Sequence, residues 1–332
     1  MTAFVSAERS VGEFTVVEAL PEFVVVIFAA LTHLADPWFL FGLFAVLYWF
    51  ASDRLTTSPR HDGATAIASI TCAYAAVALG KTWFAVPRPH AAMTPVDAPT
   101  WLPGLLTVWY ETQVFSDGFG FPSGHATGAV AAYLAIALLD DGLWTRKRRL
   151  FGAVLLMIFV ATSRVVIEVH YLIDVIAGIL LGISTVVGAL RLAGDSRMRG
   201  LRGNRPNSIS PTAELDPFPV FLLATGISVI AAGLAAVNGH TEGVIEGAIG
   251  VATGLGGAIG WLFVTGDEPR VSIRIAIPAL FGTGGLWVGA YALSSSVTIT
   301  LVATSFAVIV VIGLPALSTV LAKKSGSSSV RP

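Results

Sequence analysis

Charge is what this sequence has least of. Asp, Glu, Lys and Arg make up 12% of its 332 residues, about half the roughly 25% of an ordinary soluble domain. Hydrophobic residues reach 55% and mean hydropathy is +0.77. That leaves too little polar surface to cover a soluble particle of this size, so a water-soluble protein is excluded and most of the surface must face lipid. A basic excess is missing as well: 20 basic residues against 21 acidic give a net charge of -1, which argues against nucleic acid as a partner. Cysteine occurs once, as Cys72 in an apolar run, so neither an intramolecular disulfide nor a cysteine metal cluster can form. The first residues lack the basic region that opens a secretory signal. Glu8, Glu13, Glu18 and Glu22 stand there instead, and this N-terminus is expected to be retained.

Apolar runs are what the chain has in abundance. A helix needs about 20 apolar residues to cross the hydrocarbon core, and ten candidates lie near 20–34, 37–51, 64–81, 123–139, 150–168, 170–192, 218–238, 243–264, 274–293 and 297–321. Pro21 and Asp36-Pro37 interrupt the first two, and the first is short enough to be an interfacial helix. The expected fold is an all-α polytopic membrane bundle: a core of about six membrane helices over 1–193, a cytoplasmic linker at 194–217, four further membrane helices over 218–322 and a cytoplasmic tail at 323–332. Short loops rich in Lys and Arg stay cytoplasmic. Counted that way, 17 of the 20 basic residues fall inside, including Arg9 and the groups 146–149 and 191–205. Both termini are then cytoplasmic, and only Lys81, Arg88 and Arg164 remain outside. Topology gives no reason for those three, and an anionic ligand does. In the C-terminal part, Gly243, Gly247, Gly250 and Gly254 repeat at a spacing that lets helix backbones approach closely. Glu246 is the one carboxyl group set inside a span there, a candidate for function by default.

The polar residues of the first part gather in three places. Lys81 ends the third span, with Arg88-Pro89 seven residues on. Pro122-Ser123-Gly124-His125 opens the fourth span, where Pro and Ser suit a helix start. Ser163-Arg164 closes the fifth, and His170 with Asp174 opens the sixth. All three clusters fall at the same, extracytoplasmic, ends. Four residues apart on a helix, His170 and Asp174 share a face, so the carboxylate can hold one imidazole nitrogen and leave the other unprotonated as a nucleophile. His125 lies at a helix N-terminus that favours an anion, and an imidazole titrating near neutrality suits proton donation to a leaving oxygen. Lys81, Arg88 and Arg164 would surround the same anion and stabilise the charge of phosphoryl transfer without a metal. No Asp/His cluster with metal-ligand spacing appears. Any one of these residues alone reads as structure. Eleven identities in order, on one membrane face, do not.

Lys81 with six residues before Arg88-Pro89, Pro122-Ser123-Gly124-His125, and Ser163-Arg164 with five residues before His170 and three before Asp174, together resemble the three-part signature of the type 2 phosphatidic acid phosphatase (PAP2) superfamily. The intervening gaps are 32 and 37 residues, within that family's usual range. The resemblance covers roughly residues 20–193 and says nothing of 218–322. It implies a metal-independent, cofactor-free membrane phosphatase acting on lipid phosphates or polyprenyl diphosphates. His170 would form a phosphohistidine, Asp174 would orient it, and His125 would protonate the leaving group and later activate water. Lys81, Arg88, Ser123, Gly124 and Arg164 would hold the phosphate oxygens. Two alternatives stay open: a phosphotransferase to a lipid or sugar acceptor, and a lipid transporter working through the C-terminal bundle. The sequence also leaves open whether the chain forms a homo-oligomer.

Overall fold

The computed structural model describes residues 9–94, 96–140, 142, 144–194, 214–266 and 268–327. Twelve α-helices are present among the described residues, with no named strand. They are α1 (Glu13–Val17), α2 (Glu22–Leu31), α3 (Pro37–Phe50), α4 (Pro59–Phe84), α5 (Gly104–Val114) and α6 (Gly124–Leu139), then α7 (Arg146–Val166), α8 (Leu172–Gly194), α9 (Phe218–Val237), α10 (Thr241–Trp261), α11 (Ile273–Leu293) and α12 (Val297–Ser327). Seven helices, α4 and α7 to α12, are long and apolar enough to cross a membrane. The all-α polytopic bundle is therefore what the chain forms. The expected linker at 194–217 falls almost wholly outside the described residues, as does the end of the tail.

From α3 onward the chain runs up and down between two ends. At one end, Lys81 closes α4, Ser123 caps α6, Arg164 closes α7 and Asp174 lies in the first turn of α8. We call this the site end. The opposite end holds Arg54, Arg60, Arg146 to Arg149, Arg191, Arg270 and Arg274. Arg60 is buried there and donates to the carbonyls of Tyr48 and Ala51, the latter at 2.7 Å. It thereby closes the C-terminus of α3, where free carbonyls favour a cation.

The first apolar segment, for which an interfacial helix is one of the two expectations, is short and forms a bent pair with α3. Pro21 starts α2 with an extended backbone, and ten residues later the helix gives way to a 3-10 turn, Thr32–Ala35, and a 50° bend into α3. Glu22 accepts from Trp101 Nε1 at 3.0 Å, and Thr32 accepts from Arg164. Both ends of α2 are thus held at the site end. Ten residues span only about 15 Å, half the hydrocarbon thickness, so α2 joins α5 and the turn after α7 as a cap built on Ala29, Tyr110, Val114 and Val169.

Small residues decide how closely the crossing helices pack. A Cβ on Gly178 would meet the Ser123 carbonyl oxygen at 2.6 Å, and one on Gly182 would meet Val130 Cβ at 2.7 Å. These two glycines let α8 lie against the start of α6, the helix that presents Ser123 and His125. Gly182→Leu is expected to destabilise the fold by at least about 1–3 kcal/mol through overpacking, read as a lower thermal midpoint in detergent. The C-terminal glycine stripe does the same for α9 and α10: a Cβ on Gly247 would meet Ala232 at 2.7 Å, and Gly243, Gly250 and Gly254 face Ala235, Ser228 and Thr225. Both helices pack on α4. Trp49 Nε1 and Tyr48 Oη of α3 donate to Val311 and Ile312 of α12, each at 2.8 Å, so one apolar core containing Trp49, Ile70, Phe221, Trp261 and Ile312 runs through both halves.

Candidate active site

His170 lies in the turn between α7 and α8 rather than on α8 itself, which begins at Leu172. The expected pairing with Asp174 therefore forms by another route. The His170 N–H donates to the Arg164 carbonyl at 3.1 Å. Asp174, in the first turn of α8, accepts the Tyr171 N–H at 3.1 Å on Oδ2. This folds the turn back so that Oδ2 faces His170 Nδ1 at 3.5 Å, an ion-pair approach in which the buried Nδ1 makes no hydrogen bond among the described residues. On the far side of the ring, Arg88 Nη1 donates to Nε2 at 3.0 Å. A guanidinium can only donate, so Nε2 carries the lone pair and Nδ1 the proton. The ring is 1% exposed. Burial, and next the Arg88 charge, hold its pKa well below the ordinary imidazole range, with Arg164 and Lys81 acting in the same direction. The result is a neutral imidazole with its basic nitrogen surrounded by cations.

Those cations are fixed from different elements. Arg88, in the loop after α4, also donates to the Asp117 carbonyl at 2.8 Å and the Val169 carbonyl at 3.0 Å. Arg164 donates to Thr32, and its Nε is buried without an acceptor among the described residues. A buried unpaired donor is costly, and an anion would relieve it. Lys81 Nζ lies 3.9 Å from Glu246 Oε1. Ser123 is fully buried and caps α6, its Oγ accepting from the Ala126 N–H at 3.5 Å while its own N–H donates to the Asp174 carbonyl at 3.0 Å. Gly124 is the first residue of α6 and faces Val77 at an ordinary packing distance.

His125 is held by residues that sequence reasoning missed. Its Nε2 is 2.9 Å from Asp36 Oδ1. The other Asp36 oxygen lies 2.5 Å from His33 Nδ1 and accepts from Trp38 Nε1 at 2.9 Å. His33 Nε2 in turn accepts from Trp109 Nε1 at 2.7 Å. Trp109 can only donate, which places the His33 proton on Nδ1, toward Asp36. Before Pro37 at the first helical position, Asp36 reads as a helix cap, yet its side chain makes no capping bond. Its carboxylate serves the two histidines instead.

Arg9 corrects the expected topology. Placed on the cytoplasmic side by counting charges, it is found on Asp174, with Nη2 donating to the Pro87 carbonyl at 2.7 Å and the guanidinium 4.7 Å from the centre of the Tyr171 ring. Both ends of α2 are held at the site end, and the segment before it lies there too. Glu13 Oε1 accepts the Leu172 N–H at 3.1 Å, and α1 packs on α7. The one signal available was composition, since Arg9 is the sole Lys or Arg before Arg54.

Beside Lys81 and Ser123 runs a groove of about 600 Å³, lined by Leu79, Gly80 and Trp83 of α4, Phe121-Pro122, Leu181 of α8 and Ile227 of α9. It is almost wholly apolar, with Ser184 its only hydroxyl. Residues 62–198 match the family model of the PAP2 superfamily. This stretch of the chain belongs to that superfamily. The PAP2 region takes in α4 to α8 and thus every residue of the three-part signature, and members of that superfamily are generally phosphatases. No curated protein and no solved structure matches the chain. Arg9, His33 and Asp36 precede the PAP2 region, and Glu246 follows it.

Proposed function

We propose that this PAP2 protein is a metal-independent lipid phosphate phosphohydrolase, with its active site on the extracytoplasmic face. The observation that carries the reaction is the His170 ring, its Nε2 unprotonated against Arg88 and its Nδ1–H toward Asp174. In the proposed cycle Nε2 attacks phosphorus and the bond to the leaving oxygen breaks. His125 supplies the proton to that oxygen and takes one from the water that later hydrolyses the phosphohistidine. Asp174 stabilises the proton retained on Nδ1. Arg88, Arg164 and Lys81, with the Ser123 and Gly124 end of α6, hold the three equatorial oxygens. The unpaired Arg164 Nε supports an anion there.

An amphiphilic substrate follows from the groove. Its upper end adjoins Gly80 and Pro122, the residues just before Lys81 and Ser123, so a phosphate among the cations leaves an alkyl chain directed into apolar space. The positively charged residues at the opposite end support a cytoplasmic assignment for that end. The test is phosphate release in mixed micelles with EDTA present, across phosphatidate, phosphatidylglycerol phosphate, a polyprenyl diphosphate and a soluble short-chain phosphate ester. Release from the lipids that survives EDTA is expected. Leu181→Trp, which fills the groove, is expected to raise KM for a long-chain lipid about tenfold, the equivalent of about two buried methylenes, and to leave the soluble ester unchanged. Metal-dependent release, or equal effects on both substrates, would overturn this reading.

A further inference from the structure

The site borrows a charge from outside the PAP2 region. Between 218 and 322, Glu246 is the one acidic residue set more than a turn inside a membrane-crossing helix. Its side chain is half-exposed at the site end of α10, where a carboxylate on a membrane helix favours a cation within reach. Its one ion-pair partner among the described residues is Lys81, at 3.9 Å. The placement follows from packing. Residues 243 and 246 share a helix face, and Gly243 sits against Thr82, the neighbour of Lys81, where a Cβ would come within 3.3 Å of Thr82 Oγ1. The turn before α10 is held by His240, whose ring meets that of Phe119 edge-on at 4.9 Å. Phe119 belongs to the loop that leads into Pro122 and Ser123. Helix α10 is thus fastened to the phosphate site from both the α4 and the α6 side.

Resting on the phosphatase reading above, we infer that Glu246 is a positioning residue of the phosphate site, a fixed carboxylate that holds Lys81 and competes with phosphate for it. One ammonium cannot serve two anions at full strength, so phosphate must displace the carboxylate and remain beside it. A lipid substrate has its chain in the groove as further binding energy. Inorganic phosphate, the product, has the cations alone. The competition costs lipid and product about equally at Lys81, so the product, with no chain in the groove, becomes the more weakly held of the two, and the C-terminal helices take part in setting phosphate affinity.

The probe is inorganic phosphate, titrated calorimetrically into the full-length protein in detergent and also used as a competitive inhibitor of lipid turnover. Glu246→Gln is expected to tighten phosphate binding by about three- to tenfold. KM should fall in step and kcat should stay within about twofold, a split that loss of folding does not produce. Glu242→Gln, which removes the same charge one turn earlier, is expected to leave the dissociation constant nearly unchanged. Glu246→Ala, small enough for a helix of glycines, reads the same constant if the amide variant does not fold. Unaltered phosphate binding in the Glu246 variants, or an equal shift from Glu242→Gln, overturns the inference and leaves the phosphatase reading standing. A wild-type protein that neither binds phosphate nor releases it from lipids overturns both.

Discussion

His170→Ala is expected to reduce phosphate release from a lipid substrate by at least about 10⁴-fold, the scale on which loss of a covalent nucleophile is felt. The measurement is kcat in micelles, with inorganic phosphate binding as its control. Arg88, Arg164 and Lys81 come from three elements other than the turn that carries His170, so the anion site outlasts the nucleophile and phosphate binding is retained. A fall in turnover with binding preserved assigns His170 to chemistry. A parallel loss of both assigns it to the fold. The wild-type pH profile belongs to the same experiment. Burial and the Arg88 charge lower the His170 pKa, so the ring stays neutral below the pH at which a free imidazole takes a proton, and the acid limb of kcat/KM due to this group lies below that range. The sign for stability is opposite: the unfolded chain binds the proton more readily, so acid favours unfolding.

Asp36→Asn is expected to lower kcat by about 10²–10³-fold, within the range attributed to positioned general acid–base catalysis. The amide nearly matches the carboxylate in size but loses the charge and half of its acceptor capacity, and Asp36 uses both oxygens. One receives His125 and the other receives His33 and Trp38. The substitution therefore loosens the hold on the His125 ring while the His170 ring keeps its contacts with Arg88 and Asp174. Burst kinetics separate the steps. A loss of protonation of the leaving oxygen slows formation of the phosphohistidine, and a loss of base catalysis slows its hydrolysis. KM is expected to change less than kcat, because Asp36 touches a histidine rather than the cations.

Much of this was legible in the sequence, and the reasons for the remainder are physical. Lys81, Ser123, His125, Arg164 and Asp174 stand at helix ends, and Arg88 and His170 in the adjoining loop and turn, where a periodic apolar run meets a polar cluster. The glycines of α10 repeat at helical spacing, so their packing against α9 was readable too. The first apolar segment has enough hydrophobicity for a crossing but little uninterrupted length, which is why the sequence left it open between a span and an interfacial helix. Charge counting carried Arg9 to the end opposite the site, whereas the structure places it on Asp174. Asp36 was hidden for a different reason: next to Pro37 it has a sufficient local explanation as a helix cap, and only the fold of α2 over the site brings His33 and His125 to it. The turn at His170 shows the same limit on a smaller scale. Spacing predicted its pairing with Asp174, but the pair forms at the entrance to α8, through the Tyr171 N–H, not along a helix face.

Because α2 is held at the site end, the residues before it lie on the same face as the turn that carries His170. Before Arg54 the sequence holds a single cation, Arg9, against Glu8, Glu13, Glu18, Glu22, Asp36 and Asp53, while Arg54 and Arg60 follow α3 closely. Cations retard translocation and acidic residues do so only weakly, so this distribution suits the orientation proposed above. The lone arginine of the stretch rests on Asp174, and the scarcity that fits the segment to the proposed outer face leaves it one guanidinium for the candidate site.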